Sequence, residues 1–200
     1  MYHIMQFFAW FMVHFTFGKY RISGKENVPK KGGVIYCANH ASMWDPVLIG
    51  LASSRRPVIF MAKKELFKNP VVGALLKSFG SYPVDRGAAD SASFRETITL
   101  LEHGKTLCIF IQGKRGEKGG AEVTNPKSGA AMFALKSNVP IIPVAVNSTY
   151  EKFAGAEITF GEPLTFEYND EKSLRSENLR KVSNTIAEHI NALLLKQKGG

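Results

Sequence analysis

Cysteine is scarce in this chain: Cys37 and Cys108 are the only two in 200 residues. Both lie inside apolar runs that read as strands, so buried free thiols in a reducing compartment account for them better than a disulfide does. No Cys/His cluster has zinc-ligand spacing, and no metal is expected. A thiol nucleophile at Cys37, three residues before His40, is disfavoured because a strand sets the two side chains at poor mutual angles. Carboxylates are also short, with 17 Asp and Glu against 26 Lys and Arg, for a net charge of +9. The pairs Lys30-Lys31, Arg55-Arg56, Lys63-Lys64 and Lys114-Arg115 each suit a solvated surface. Together they suit an anionic partner such as lipid headgroups, a phosphorylated ligand or an acidic carrier. Nucleic acid is not expected, because the chain has no zinc finger, no Arg-rich tail and no RNA-binding aromatic signature. Repeats, biased segments and composition shifts are missing too, and the length suits one domain with one sizeable core.

Charge is absent altogether from residues 1–17, which instead hold seven aromatics: Tyr2, Phe7, Phe8, Trp10, Phe11, Phe15 and Phe17. A helix of that length reaches about 25 Å, short of the roughly 30 Å hydrocarbon core. With no basic n-region and no small-residue cleavage site, a secretory signal is not expected. At helical spacing His3, Gln6, Trp10 and His14 share one stripe in an otherwise apolar circumference. Such a helix suits burial in the outer part of one leaflet, with Lys19, Arg21 and Lys25 meeting anionic membrane lipid. The alternative is a helix packed on the domain's own core, but seven aromatics exceed what one packing face needs. The expected organisation is therefore a membrane-interface helix over 1–19 and a domain over 20–200. Attachment through 1–17 would be monotopic or peripheral, on the cytoplasmic face.

Beyond this segment the pattern alternates. Strands are predicted at Val34–Ala38, Val58–Ala62, Tyr82–Val84, Leu107–Ile111 and Ile141–Val146. Between them come helices over 46–53, from Asn69-Pro70 to Gly80, from Ser91 or Ser93 to Gly104, and over 127–138. Gly24 to Gly33 reads as a polar connector, 113–126 as a mobile loop rich in Gly and Lys, Glu157–Phe160 as an edge strand, and 174–195 as an amphipathic helix. Apolar strands alternating with helices predict an α/β fold with a largely parallel central sheet flanked by helices. His40, Arg86 and the run Gln112 to Arg115 each fall just past the C-terminal end of a strand, the edge where such sheets gather their sites.

The stretch Asn39-His40-Ala41-Ser42-Met43-Trp44-Asp45-Pro46 is the most specific feature. A histidine leaving a buried strand, with an aspartate five residues on, is a compact general base. One ring nitrogen faces a hydroxyl while the carboxylate accepts from the other and favours the imidazolium. The same residues also read as a helix start, with Asp45 as N-cap and Pro46 at the first helical position. Three further blocks accompany this octet in order: Gly80-Ser81-Tyr82-Pro83-Val84-Asp85-Arg86, Ile109-Phe110-Ile111-Gln112-Gly113-Lys114-Arg115 and Val139-Pro140-Ile141-Ile142-Pro143-Val144-Ala145-Val146. In these four blocks, spread from about Tyr20 to about Phe166, the chain resembles the 1-acyl-glycerol-3-phosphate acyltransferases of the glycerolipid acyltransferase superfamily.

The resemblance implies transfer of a fatty acyl group from acyl-CoA or acyl-ACP to the free glycerol hydroxyl of the lysophospholipid lysophosphatidic acid, giving phosphatidic acid, with no cofactor beyond the thioester co-substrate. His40 would be the base and Asp45 its orienting partner. Ser42 would support the turn, and amides at the start of helix 46–53 are candidates for the oxyanion site. Asn39, Lys63, Arg86, Gln112, Gly113 and Arg115 are the implied substrate contacts, with the two arginines offering planar forks to phosphate. Taken alone, Arg86 also reads as a salt-bridge partner of Asp85. The chain departs from the family pattern Phe-Pro-Glu-Gly-Thr-Arg in its third block. Gln112 replaces the carboxylate and Lys114 adds a cation. That departure keeps a second acceptor in view, another lysolipid or hydroxylated lipid. A non-catalytic lipid-binding protein is the alternative of another class, and the intact His40 and Asp45 argue against it.

Overall fold

The computed structural model describes residues 13–53, 56–70, 73, 76–77, 81–84, 91–113, 115–116, 122–168 and 170–199. Among them seven strands make one sheet: β1 (Tyr20–Ser23), β2 (Val34–Ala38), β3 (Val58–Lys63), β4 (Tyr82–Val84), β5 (Thr106–Phe110), β6 (Ile141–Asn147) and β7 (Ala156–Phe160). Their spatial order is β1-β7-β6-β2-β5-β3-β4. Every neighbouring pair is parallel except β6 and β7. The α/β architecture expected from the alternation is the one observed.

β2 lies at the centre, in register with β5 through Ala38↔Phe110 and with β6 through Ala38↔Val144. All five of its residues are buried, which requires helices on both faces and explains the unbroken apolar run. Successive side chains point to opposite faces. Val34, Tyr36 and Ala38 pack with Leu48, Ile49 and Ala52 of α1 (Asp45–Ala52). Ile35 and Cys37 face the cluster that holds Leu101 of α2 (Ser91–Glu102), Ala130 and Ala134 of α3 (Gly129–Ser137), and Ile186 and Ile190 of α4 (Ser176–Lys198). α4 starts later than predicted because a 3-10 turn at Glu171–Leu174 precedes it, capped by Asp170, whose carboxylate accepts from the amides of Lys172 and Ser173.

Three expectations are corrected. Glu157–Phe160 is no edge: β7 lies between β6 and β1, and the edge position belongs to Tyr20–Ser23. Four residues with Arg21 and Ser23 turned outward carry too weak a pattern to be read as a strand. The boundary at residue 19 also fails, because the helical residues 13–17 belong to the domain. Val13 and Phe17 are wholly buried among the side chains that cover β2 and β6. The amides of Phe153 and Gly155 donate to the carbonyls of Thr16 and Phe17. Residues 1–12, which hold five of the seven aromatics, lie outside the described residues. So does most of the helix expected after Pro70. Finally, the loop expected over 113–126 is anchored at its far end: Val123 is buried, and its amide and carbonyl pair with the Asn191 side chain on α4.

Gly24 joins β1 to the first 3-10 turn at φ 73°, and a Cβ there would lie 1.9 Å from the Phe160 carbonyl oxygen. Gly24→Ala therefore meets both left-handed strain and a backbone clash, and the edge pairing of β1 with β7 must give way. The substitution is expected to cost about 2 kcal/mol or more, read as a lower urea midpoint at unchanged slope.

Candidate active site

Parallel strands bring their C-terminal ends to one edge, and that edge gathers His40 after β2, Gln112 after β5 and the segment Ser148–Tyr150 after β6. Each position follows from where an apolar run stops. Ala38 is the last paired residue of β2 and Phe110 the last of β5, so both chains turn out of the sheet together. Ile111 still donates to the Ala38 carbonyl, and Gly113, at φ 69°, closes the turn by donating to Phe110 O. That left-handed backbone suits glycine, which gives Gly113 a role in shaping the turn.

His40 Nδ1 donates to Asp45 Oδ2 at 2.8 Å. The same oxygen accepts from the amides of Ala41 and Ser42, each at 2.8 Å, while Oδ1 accepts from the Tyr150 hydroxyl at 2.6 Å. Asp45 is thus the first residue of α1 rather than its cap, and its side chain turns back over the preceding loop. The role expected of Ser42 holds, since its hydroxyl accepts from Trp44 N at 3.3 Å. Of the amides expected to form the oxyanion site at the start of helix 46–53, Pro46 has no N–H and Leu48 N donates to Trp44 O. Asp45 is wholly buried and the His40 side chain is 18% accessible. The imidazole stacks on Phe110, with ring centroids 3.9 Å apart and planes 19° apart. With a carboxylate holding the hydrogen on Nδ1, the Nε2 lone pair points the other way, free to take a proton from a hydroxyl.

The other sites implied by the resemblance divide. Asn39 has a different task from a substrate contact: it is fully buried, and its amide donates to Val146 O and accepts from Val146 N, both at 2.8 Å. It ties the end of β2 to β6 and so fixes where His40 begins. Gln112 is buried, with Nε2 3.4 Å from the Glu122 carbonyl and a buried Oε1 that has no partner among the described residues. Arg115 is exposed, one residue before Gly116, whose amide donates to the His40 carbonyl at 2.7 Å. The backbone of Lys63 ends β3. Arg86 and Lys114 lie outside the described residues.

Arg56, counted among the anion-seeking cations, is structural. Its guanidinium donates to the carbonyls of Pro29, Gly32 and Gly104, beside the opposite end of the sheet. Burial pushes both the Cys37 and the Cys108 thiol upward; protonated and inaccessible, neither is a nucleophile.

Two residues at the site were not anticipated, Phe110 and Tyr150. Phe110 had a signal, because the pairing of β2 with β5 sets it beside Ala38. Tyr150 had only its position just past a strand at this edge. Its phenol is pushed far above the usual tyrosine range, first by burial and then by the Asp45 charge and the bond to it, so it stays protonated and donates.

The chain is similar to known acyltransferases in sequence and in fold. The model of the acyltransferase family matches residues 19–147. The 1-acyl-sn-glycerol-3-phosphate acyltransferase of Bacillus subtilis is 32% identical over 152 residues, 74% of each chain. Its namesake in Streptococcus pneumoniae is 31% identical over 158 residues, which is 76% of this chain and 57% of that protein. The crystal structure of the 1-acyl-sn-glycerophosphate acyltransferase of Thermotoga maritima superposes with a TM-score of 0.66 at 26% identity, covering 96% of this chain and 80% of that one.

Asn39→Ala would leave the Val146 amide and carbonyl buried and unpaired, at a cost of about 2–4 kcal/mol. The expected outcome is a clear fall in the unfolding midpoint together with lost turnover, measured by urea titration and by rate on the same preparation.

Proposed function

The chain belongs to the acyltransferase family, and from that premise we propose that it makes phosphatidic acid. In this reading a fatty acyl group moves from an acyl thioester, on coenzyme A or acyl carrier protein, to the free glycerol hydroxyl of lysophosphatidic acid. The observation that carries the reading is the 2.8 Å bond from His40 to the buried Asp45 carboxylate at the sheet edge. An alkyl hydroxyl attacks a thioester slowly unless a base takes its proton as the bond forms. His40 Nε2 takes it, and Asp45 stabilises the imidazolium. The tetrahedral intermediate then expels the thiolate, which recovers a proton from His40. A thiolate leaves readily, so no covalent enzyme intermediate and no cofactor are needed. The exposed Arg115, with Arg86 and Lys63, would supply cations for the acceptor phosphate. A second reading keeps the chemistry and changes the acceptor to another lysolipid. Gln112 favours it, because an uncharged amide stands where the family has a carboxylate.

Purified protein in detergent, given labelled acyl thioester and a panel of lysolipids with and without a phosphate monoester, tests both readings. His40→Ala is expected to abolish transfer at an unchanged circular dichroism spectrum, and Asp45→Asn to cut the rate by about a hundredfold or more. Near-normal turnover by His40→Ala would remove the mechanism. Preference for an acceptor without the phosphate monoester would move the function to the second reading.

The enzyme is further proposed to work while attached peripherally to the cytoplasmic face of a membrane. Among the described residues no helix is long and apolar enough to cross one. Support comes from the uncharged aromatic segment 1–12, from Phe15, which is 59% exposed, and from the exposed Lys19 and Arg21. Because Val13 and Phe17 are core residues, the informative deletion stops at residue 12. Removing 1–12 is expected to shift the protein from the pellet to the supernatant with vesicles of anionic phospholipid. Unchanged co-sedimentation would assign the attachment to another surface.

A further inference from the structure

We infer that Tyr150 is a positioning residue of the active site, setting the Asp45 carboxylate through which His40 works. The inference rests on the reading of His40 as the base, and its geometry stands independently. Three of the four donors to Asp45 — His40 Nδ1, Ala41 N and Ser42 N — converge on Oδ2. Among the described residues Tyr150 alone supplies Oδ1, at 2.6 Å. A buried carboxylate held by one oxygen can still rotate about its Cβ–Cγ bond. Each rotation exchanges the oxygen that faces the histidine and breaks the amide contacts. A donor on the second oxygen stops that rotation.

The chain holds Tyr150 as a fixed arm. Its backbone is left-handed at φ 58°, a conformation that L side chains adopt at a cost and that clusters at functional sites. The corner is braced by Ser148, whose hydroxyl accepts from Tyr150 N at 2.9 Å and donates to Gly155 O at 2.8 Å. The Phe17 ring stands edge-on to Tyr150 at 6.3 Å and edge-on to Trp44 at 5.5 Å. The neighbours of Asp45 on both sides are thus packed on one aromatic that reaches in from the N-terminal helical turn.

The consequence for acid–base behaviour has a definite sign. The phenol disperses part of the Asp45 charge. Removing it leaves a more localised charge beside His40, which stabilises the imidazolium. Among the described residues, the Cys108 thiol of β5 feels the Asp45 charge, and both it and the Cys37 thiol of β2 are kept neutral by burial. Beyond them is the exposed Arg115 cation in the turn after β5. None of these changes when Tyr150 loses its hydroxyl.

Tyr150→Phe keeps the ring and its contact with Phe17, so the fold is expected to survive with a small change in unfolding midpoint. With wild type and His40→Ala alongside, kcat of Tyr150→Phe should fall about tenfold or more, as for loss of a charge-assisted bond. KM for both substrates should stay within about twofold. The acidic limb of the kcat/KM profile should move to higher pH. Site-specific fluorotyrosine at position 150, a stronger donor, should move that limb to lower pH. An unchanged kcat and acidic limb in Tyr150→Phe overturns the inference. So does a lower kcat whose pH profile does not move, which would mark Tyr150 as packing alone. An active His40→Ala would instead overturn the base assignment, a separate failure.

Discussion

A carboxylate sealed from water has to be met by donors or neutralised, and at the edge of this sheet four donors among the described residues meet the Asp45 carboxylate. Burying such a group without partners costs several kcal/mol. The donors come from chain segments more than a hundred residues apart: the loop after β2 and the connection after β6. The surrounding structure is constrained accordingly. Pro46 follows Asp45 in the first turn of α1, Ser42 holds the loop, and the left-handed corner at Tyr150 brings its hydroxyl inward.

The sheet delivers His40 to this carboxylate through a second polar lock. Asn39 and Val146 exchange two hydrogen bonds with each other in a fully buried setting. The end of β2 therefore cannot slide against β6, and a one-residue slip would turn His40 to the other face. Phe110, in register with Ala38, sets the plane of the imidazole by stacking. Catalytic geometry of this kind needs supporting groups that are themselves held. Here the supports are backbone amides, a buried asparagine and a packed aromatic.

The N-terminal segment illustrates how a sequence pattern can carry two meanings at once. Seven aromatics in seventeen residues read as a surface for lipid, and Phe15, 59% exposed, is compatible with that. Val13 and Phe17, on the same helical turn, are core residues that touch the side chains covering β2. Packing on the domain and contact with a membrane are not exclusive for this segment. The turn over residues 13–17 does the first while leaving a face for the second, because a helix has room for both around its circumference.

Legible in the chain alone was whatever depends on local periodicity and spacing. The apolar runs at Val34–Ala38 and Ile141–Val146 read as buried strands. The breaks after them put His40 and its neighbours at one edge, and the five-residue interval from His40 to Asp45 made the pair a candidate beside the reading of Asp45 as a helix cap. The tertiary structure decided what depends on pairing across distance. It placed β7 inside the sheet and Tyr20–Ser23 at its edge, turned Asn39 from a ligand contact into a strap on Val146, and gave Arg56 three backbone carbonyls in place of an anion. It also brought Tyr150 to Asp45. A hydrogen bond spanning 105 positions leaves no periodicity in the chain, and only the folded sheet, by pairing β6 with β2, makes those two residues neighbours.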